Sequence, residues 1–441
     1  METEVSNMRE YLFGIPAYTD KHTLGHTKEY YRLLGISFPQ ERIIHVAGTN
    51  GKGSVCNYLR ELLRAHGKHV VMFTSPHLIR INERFVIDDR QATDRELTEA
   101  FDRVLSLTQS LKEREDLYHP TYFEFLFLML MCLCEKVNPD YLILETGLGG
   151  MLDATNIFEK PALTVITRIG MDHCSYLGDT LPAIAGQKAG IIKEKVPLVL
   201  QSTGPETDEV ILKAAAARSA PALVVDEQNF RIENVGKKSI DFSYQSHYYS
   251  IDLQLRGKAL YQLKNAATAL SALQKLADLK GLRLSDQRIQ EAFRRAKWPG
   301  RMQQIRENII LDGAHNPDGM EGFLFSVAAD GCEGTRILIL ALSSDKDAAS
   351  MTDLIASGGL FSKVIVTGYS QMRAFEPERL AAFFDKDTMD VCVAKSPKEA
   401  LLKAQKQAGK GDLIYIAGSL YLVGEIKELL DAQKDDGEDH D

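Results

Sequence analysis

Residues 42–54 read RIIHVAGTNGKGS, an apolar run followed directly by a glycine-rich stretch. The apolar run predicts a buried strand over Ile43–Ala47, and the residues after the glycines predict a helix over Val55–Ala65. A strand, a glycine-rich turn and a helix N-terminus together make a cradle for a phosphate group, with Lys52 as a point charge. The sequence therefore predicts an α/β sheet that binds a nucleoside triphosphate with magnesium.

This phosphate loop departs from the general Walker pattern at two positions. Val46 stands where the first glycine is expected, and Gly53 stands where a metal-binding hydroxyl normally follows the lysine. The nearest hydroxyl, that of Ser54, is displaced by one residue. We therefore expect the metal ligands to come from other strands.

Composition narrows the class of protein. A chain of 441 residues predicts two or three domains, and the formal net charge of −9 argues against nucleic acid as a partner. The N-terminus lacks the features of a secretory signal, and the longest apolar run, 122–134, is too short to cross a bilayer. The six cysteines show no disulfide or zinc spacing. We expect a cytoplasmic protein that does not bind membranes, and a monomer fits the design.

Short apolar runs alternate with helical patterns along most of the chain, which predicts strands at 43–47, 70–73, 141–144, 163–167 and 198–200. The more polar stretch 230–255 predicts a small antiparallel meander. A Pro-Gly break near Trp298 precedes further strands at 308–311, 337–342, 364–367, 391–393 and 413–417. We predict an N-terminal P-loop parallel-sheet ATPase domain with a small antiparallel subsheet (1–297), a smaller C-terminal Rossmann-like α/β domain (298–433) and a charged, solvated tail (434–441).

Polar residues follow several predicted strands, and ligands of open α/β sheets bind at that edge. Ser75, Glu145 and His173 supply a hydroxyl, a carboxylate and an imidazole that could hold magnesium. On sequence alone, His173 is equally well explained as a core histidine, and nothing singles out Lys188. The run 147–150 lacks the third glycine of a dinucleotide fingerprint, which disfavours that alternative.

The second half of the chain offers a separate polar cluster. Asp312, His315 and Asn316 follow the strand predicted at 308–311, although a plain turn would also explain them. The runs 343–347 and 418–421 follow two other predicted strands. We expect this second sheet edge to bind a partner substrate rather than the nucleotide.

The chain resembles the folylpolyglutamate synthase and dihydrofolate synthase family, within the Mur-type ATP-dependent peptide ligases. The resemblance covers nearly the whole chain and rests on nine motifs in the right order. They are 48–54, 75–78, 145–156, 170–173, 188–193, 298–301, 311–317, 344–347 and 418–424.

The resemblance implies roles for individual residues. Nucleotide contacts are implied for Gly51, Lys52, Gly53, Ser54, Asn265, Arg301 and Asp312. Magnesium ligands are implied at Ser75, Glu145 and His173, and a carbamate (N6-carboxylysine) at Lys188. Folate contacts are implied at Leu24, Gly25, Thr121, Tyr122, Phe123, Glu124, Leu152 and Asp153. Met151 stands where many relatives carry arginine, which favours polyglutamylation over the use of dihydropteroate.

The implied reaction is the ATP-dependent addition of L-glutamate to a folate carboxylate through an acyl phosphate, with Lys52, Lys188 and His315 as catalytic residues. His315 and Ser419 are expected to hold or deprotonate the incoming glutamate. Two alternatives stay open at this stage: a ligase acting on a cell-wall muramoyl precursor, and a nucleotide-switch binding module.

Overall fold

The computed structural model describes residues 2–16, 23–247, 249–371, 373–385 and 387–438, and the side chains of Glu2 and of 434–438 lie outside the description. The chain divides into two compact units. The first comprises Met1–Ile169, Thr180–Gln228 and Asn265–Ala292, and the second comprises Gly170–Asp179, Asn229–Lys264 and Phe293–Asp441. The predicted domain boundary at 297/298 stays a prediction. The last helix continues to Glu438, and the remainder of the predicted tail lies outside the described residues.

Seventeen strands are present in the described residues: β1 (Ile43–Ala47), β2 (Val70–Phe73), β3 (Phe85–Ile87), β4 (Arg90–Gln91), β5 (Tyr141–Glu145), β6 (Leu163–Ile166), β7 (Leu198–Gln201), β8 (Ala222–Val225), β9 (Phe230–Val235), β10 (Ser239–Ser246), β11 (Tyr249–Arg256), β12 (Gln303–Arg306), β13 (Ile309–Leu311), β14 (Arg336–Leu340), β15 (Lys363–Val366), β16 (Asp390–Val393) and β17 (Leu413–Ala417).

The α-helices of the described residues are α1 (Glu2–Gly14), α2 (Gly25–Leu33), α3 (Lys52–Ala65), α4 (Asp94–Ser110), α5 (Tyr122–Val137), α6 (Cys174–Leu177), α7 (Leu181–Ala189), α8 (Pro205–Ala217), α9 (Gln262–Lys280), α10 (Asp286–Arg295), α11 (Pro317–Ala329), α12 (Ala348–Gly358), α13 (Pro377–Ala381), α14 (Pro397–Gln407) and α15 (Leu420–Glu438). Short 3₁₀ helices span Gln40–Arg42, Ile81–Arg84, Ala154–Ile157 and Glu227–Asn229.

The first unit is built on an eight-stranded sheet in the order β4-β3-β2-β5-β1-β6-β7-β8. Strands β2, β5, β1, β6, β7 and β8 are all parallel to one another. At the other end of the sheet, β3 is antiparallel to β2, and β4 is antiparallel to β3. Every residue of β1, β2, β5 and β6 is buried, because an apolar run with no polar face must be covered on both sides. The predicted parallel sheet is confirmed.

Helix α5 forms part of the core of this unit. All residues from Glu124 to Cys134 are buried. Thr121 caps the helix, and Glu124 completes a capping box with it. Across the described residues, no helix combines the length and the apolar content needed to cross a bilayer.

The second unit contains two sheets. Strands β11-β10-β9 form the predicted antiparallel meander, and six further strands form a mixed sheet in the order β12-β13-β17-β14-β15-β16. Only β12 is antiparallel to its neighbour in this sheet. The predicted α/β class of the C-terminal half is confirmed.

Two helix boundaries differ from the sequence-based expectation. Helix α3 begins at Lys52 rather than Val55, because Gly51 adopts a left-handed conformation (φ 89°) and serves as the N-cap. Helix α7 ends at Ala189, whereas the helical pattern of the sequence runs from Leu181 to Ile192. Its C-cap, Gly190, packs so closely that a Cβ there would lie 2.6 Å from the Cβ of Met151.

Candidate active site

The phosphate loop connects β1 to α3 in the first unit. The backbone N–H groups of Thr49 and Asn50 donate to the carbonyl oxygen of Arg168, at 2.8 and 3.2 Å, and so tie the loop to the chain beyond β6. The first turn of α3 then contains Lys52, Gly53 and Ser54. A helix N-terminus presents its first N–H groups, and a partial positive charge, to an anion. The geometry is that of a phosphate cradle.

Two glycines of the loop are required by close approach. A Cβ at Gly48 would lie 1.8 Å from Thr167 Oγ1, and a Cβ at Gly51 would lie 2.4 Å from Asn265 Oδ1. The structure therefore brings the predicted nucleotide contact Asn265 against the loop. Gln201 Nε2 also donates to Asn265 Oδ1, at 3.4 Å.

Glu145 lies at the end of β5, beside the loop. Its Oε1 is 3.9 Å from Lys52 Nζ, and its Oε2 accepts a hydrogen bond of 3.2 Å from the backbone N–H of Ser75. Lys52 Nζ also donates to the carbonyl oxygen of Thr49, at 3.2 Å. The structure brings Lys52, Ser75 and Glu145 together, and the side-chain oxygen atoms of Ser75 and Glu145 are of the kind that a hard cation such as magnesium prefers.

His173, the third predicted magnesium ligand, belongs to the second unit. It has a left-handed backbone (φ 51°) and precedes the single turn of α6. No group of three or more His, Cys, Asp and Glu side chains in the described residues is arranged to hold a metal ion. The magnesium set of Ser75, Glu145 and His173 stays a prediction.

Lys188 reaches the phosphate loop from α7. Its side chain is buried, and its Nζ donates a 2.8 Å hydrogen bond to the carbonyl oxygen of Gly48. Residue types alone gave no reason to single out this lysine. The structure supplies one, because a buried amine then lies against the backbone of a phosphate-binding loop.

A second loop, residues 146–153, follows β5. Asp153 Oδ2 accepts hydrogen bonds of 2.8 Å from the backbone N–H groups of both Gly147 and Leu148. The ring of Phe123 lies against Gly147, since a Cβ at this glycine would be 2.6 Å from Phe123 Cζ. Met151 and Leu152 are exposed. Phe123, Leu152 and Asp153, all predicted folate contacts, are thus placed on or against one loop.

The remaining predicted folate contacts lie at the starts of α2 and α5. Leu24 is the N-cap of α2, and Gly25 is its first residue. Both oxygens of Glu124 have partners: Oε1 accepts from Thr27 Oγ1 at 2.6 Å, and Oε2 accepts from Thr121 Oγ1 at 2.8 Å. The Tyr122 ring lies 5.7 Å from the guanidinium of Arg84. Glu124 and Thr121 therefore have a structural task, and their contact with folate stays a prediction.

Asp312 follows β13 in the second unit. Oδ2 accepts from Tyr261 Oη at 2.6 Å and from the N–H of Met302 at 2.8 Å, and Oδ1 accepts from the N–H of Ala314 at 2.8 Å. Burial raises the pKa of Asp312, although the charge of Arg301 and these hydrogen bonds oppose the rise. The Arg301 guanidinium lies beside Gly313, where a Cβ would be 2.1 Å from Nη1.

A buried charged cluster surrounds Asp172 in the same unit. Lys346 Nζ donates to Asp172 Oδ1, and Asn316 Nδ2 donates to Oδ2 at 3.0 Å. His315 Nε2 lies 3.7 Å from Oδ2, and its Nδ1 lies 2.8 Å from the carbonyl oxygen of Gly313. Burial lowers the pKa of His315 to about 4, although the Asp172 charge acts in the opposite direction. The pKa of Asp172 falls despite its burial, because His315, His173 and Lys346 lie close to its carboxylate and favour the ionised form.

Ser419 lies at the end of β17 and is buried. The hydroxyl of Tyr369, which follows β15, bonds to the side chain of Ser419 and lies 2.7 Å from Ser343 Oγ. The carboxyl edge of the second sheet therefore carries a cluster of hydroxyl groups around a predicted glutamate contact.

Several residues of these clusters were not among the predicted site residues. Asp172 and Lys346 fall within noted motifs, 170–173 and 344–347, so the motif positions could have suggested them. Tyr261, Tyr369 and Gln201 gave no signal in the sequence, because each is identified only by its partner in the fold.

The fold and the phosphate loop define a nucleotide-binding ligase architecture, and comparison with known proteins agrees. Residues 46–273 match the Mur ligase middle domain, and residues 300–420 match the Mur ligase glutamate ligase domain. The chain is 31% identical to the dihydrofolate synthase/folylpolyglutamate synthase of Bacillus subtilis, over 98% of this chain and 100% of that protein. It is also 31% identical to the folylpolyglutamate synthase of Lacticaseibacillus casei, over 90% of this chain and 92% of that protein.

Solved structures give the same result. Escherichia coli FolC in complex with DHPP and ADP superposes with a TM-score of 0.85 at 28% identity, covering 98% of each chain. Mycobacterium tuberculosis folylpolyglutamate synthase complexed with ADP has a TM-score of 0.88 at 25% identity, covering 97% of this chain and 98% of that one. The chain belongs to the folylpolyglutamate synthase and dihydrofolate synthase family of the Mur ligases. It is an ATP-dependent ligase.

Proposed function

We propose that this protein adds L-glutamate to the γ-carboxylate of a tetrahydrofolate or folylpolyglutamate, with ATP as co-substrate. The observation that carries the proposal is the phosphate loop of residues 48–54. Lys188, on α7, contacts this loop through its hydrogen bond to the carbonyl oxygen of Gly48. The folate- and glutamate-related names of the relatives support the choice of substrates. Addition of glutamate to dihydropteroate is a second candidate, because the B. subtilis relative is named for both activities.

The reaction has two steps. An oxygen of the folate γ-carboxylate attacks the γ-phosphorus of ATP, the bond from that phosphorus to the bridging oxygen breaks, and acyl phosphate and ADP form. The free amine of glutamate then attacks the acyl carbon, and the bond to the phosphate oxygen breaks. An amide, inorganic phosphate and one proton are released. Preorganised positive charge at the phosphates is the main source of acceleration in such transfers.

Residues of the first unit bind the triphosphate in this proposal. The N–H groups of Gly51, Gly53 and Ser54 cradle phosphate oxygens, and Lys52 Nζ offsets their charge. Ser75, Glu145 and His173 would hold Mg²⁺, which neutralises phosphate charge when bound. Asn265 contacts the nucleotide near Gly51, and Arg301 and Asp312 are further proposed nucleotide contacts.

Lys188 acts as a carbamate in this proposal. The neutral Nζ attacks carbon dioxide and loses a proton, which leaves a secondary N–H and a carboxylate on the side chain. The remaining N–H can still donate to the carbonyl oxygen of Gly48, so the contact in the structure is compatible with the modification.

His315 and Ser419 hold the incoming glutamate. The Gly313 carbonyl can only accept a hydrogen bond, so Nδ1 of His315 carries the proton and Nε2 keeps a lone pair. A pKa of about 4 leaves this imidazole neutral at pH 7. It can therefore accept a hydrogen bond from the amino group, but it is a weak base, which favours positioning over deprotonation.

The proposed small-molecule partners are folate, L-glutamate and ATP. We propose that the protein is a cytoplasmic monomer that binds neither nucleic acid nor membranes.

Phosphate release from ATP tests the function. It is measured with glutamate plus tetrahydrofolate, dihydropteroate or a muramoyl peptide, and with each component omitted. Release that requires both glutamate and tetrahydrofolate, with a product one glutamyl residue heavier, supports the proposal. Release that needs only a muramoyl acceptor, or no acceptor at all, contradicts it.

A further inference from the structure

A buried hydrogen-bonded chain runs from β1 to the loop of residues 146–153. His45 Nε2 lies 2.8 Å from Thr155 Oγ1, which lies 2.5 Å from Asp153 Oδ1. His45, Thr155 and Asp153 are 2%, 0% and 5% exposed. The proposed mechanism uses Asp153 as a folate contact and leaves His45 and Thr155 without a task.

The direction of each bond in the chain follows from the donors available. Oδ1 of Asp153 accepts from the N–H of Thr155 at 3.0 Å, and Oδ2 accepts from two further N–H groups, as an ionised carboxylate does. The single hydroxyl hydrogen of Thr155 is therefore donated to Asp153. The hydroxyl oxygen must accept from Nε2–H of His45. Burial, together with the charge of Lys193, lowers the pKa of His45 to about 3, so the imidazole is neutral.

Asp153 links this chain to the backbone of the loop. Its Oδ2 fixes the N–H groups of Gly147 and Leu148, and Gly147 lies under the ring of Phe123. A carboxylate that rotates about its Cβ–Cγ bond would lose both amide contacts. The hydroxyl of Thr155 and the imidazole behind it oppose such a rotation, because each can bond in only one direction.

We propose that His45 and Thr155 are positioning residues: they hold Asp153, and through it the loop of residues 146–153, in the arrangement that receives the folate substrate. The assignment of folate to this loop rests on the proposed function. The hydrogen-bonded chain itself does not. Because His45 lies three residues before Gly48, the strand that leads into the phosphate loop also supports the loop assigned to folate.

Four variants test the proposal. Thr155→Val and His45→Leu each break the chain with a side chain of similar size. His45→Gln keeps an N–H donor near the position of Nε2 and should restore the chain. Thr164→Val is the matched control, because Thr164 is a fully buried threonine that pairs with His45 across β1 and β6. Its hydroxyl donates instead to the carbonyl oxygen of Pro197, at 3.1 Å.

Hydrogen exchange of the loop is the first measurement, and it needs no substrate. The N–H groups of Gly147 and Leu148 should exchange roughly three- to tenfold faster in Thr155→Val and His45→Leu, as expected for the loss of one hydrogen bond. They should exchange at the wild-type rate in His45→Gln and Thr164→Val. Unchanged exchange in both chain-breaking variants, or equal acceleration in Thr164→Val, overturns the proposal.

Steady-state kinetics are the second measurement. We expect KM for folate to rise roughly three- to tenfold in Thr155→Val and His45→Leu, with KM for ATP and kcat within about twofold of wild type. A general loss of stability would lower the active fraction and with it the apparent kcat, and would leave both KM values unchanged. Faster exchange without a rise in KM for folate rejects the folate part of the proposal. If the wild-type enzyme releases no phosphate with folate and glutamate, the proposed function is wrong. The exchange rates of Gly147 and Leu148 then still decide whether His45 and Thr155 position the loop.

Discussion

Lys188 Nζ donates a 2.8 Å hydrogen bond to the carbonyl oxygen of Gly48, the first glycine of the phosphate loop. The lysine is 4% exposed. Lysine side chains are rarely buried this deeply, so the sequence alone predicts that Lys188 is exposed to solvent on α7. The observed contact instead joins the end of α7 to the glycine-rich loop of residues 48–54, to which the proposed function assigns the triphosphate.

Replacement of Lys188 by alanine should lower kcat about a hundredfold, the usual cost of removing one preorganised group at a phosphoryl-transfer site. If the working form is a carbamate, acetate or formate should partly restore activity by supplying a carboxylate in the space left behind. Phosphate release with and without added carboxylate measures both effects. Lys213→Ala is the control, because Lys213 is an exposed lysine on α8 that pairs with Glu209. Full activity of Lys188→Ala would refute the assignment.

Lys52→Ala should lower kcat by about two to three orders of magnitude, because the proposed function makes Lys52 the point charge for the terminal phosphates. The folded state should be retained, since the side chain makes only a 3.2 Å bond to Thr49 and a 3.9 Å contact with Glu145. Phosphate release is measured beside Lys160→Ala, a variant at an exposed position of the same unit. Ligation within a few-fold of wild type in Lys52→Ala would contradict the phosphate assignment.

The ion pair of Asp172 with Lys346 is buried, with side chains 7% and 9% exposed. Removal of one partner leaves an uncompensated buried charge, so Lys346→Met should lower the free energy of unfolding by about 3 kcal/mol or more. The double variant Asp172→Asn with Lys346→Met should recover much of that loss, because neither charge remains. Urea unfolding of the four forms measures the coupling. Additive effects of the two substitutions would show that the pair contributes no coupling.

The strands were predictable from sequence because of how they are buried. The residues of β1, β2, β5 and β6 are all buried, so each strand appears as a run that is apolar except for His45, Thr164 and the terminal Glu145. The start of α3 was missed by three residues, because the left-handed Gly51 that caps it carries no helical signal of its own.

The candidate site was predictable only in part. Strand ends identified Ser75, Glu145 and Asp312, since the carboxyl ends of parallel strands meet at one edge. Partnerships across the chain were not predictable. Lys346 and Asp172 lie 174 residues apart in sequence, and Tyr261 reaches Asp312 from 51 residues away. No local pattern encodes such pairs, because they arise from the packing of separate elements.

Met151→Arg should increase turnover of dihydropteroate. Met151 is 46% exposed on the loop of residues 146–153, so an arginine there can keep its charge in solvent. A guanidinium can bond to polar or anionic groups of a pteroate, whereas a thioether cannot. Glutamate-dependent phosphate release with dihydropteroate measures the effect, and Met151→Gln separates charge from length. Equal turnover in wild type and Met151→Arg would refute a role for this position in acceptor choice.

His45 should make the stability of the protein depend on pH. Its folded pKa of about 3 lies below the unfolded value of about 6.5, because burial penalises the charged imidazole. The unfolded chain therefore binds more protons between these values. The contribution of His45 is fully present above about pH 6.5 and is lost as the pH falls toward 3, at up to about 1.4 kcal/mol per pH unit. His45→Gln removes this titration, so its urea midpoint should fall less steeply than that of wild type between pH 7.5 and pH 4.5, and parallel curves would contradict the buried neutral imidazole.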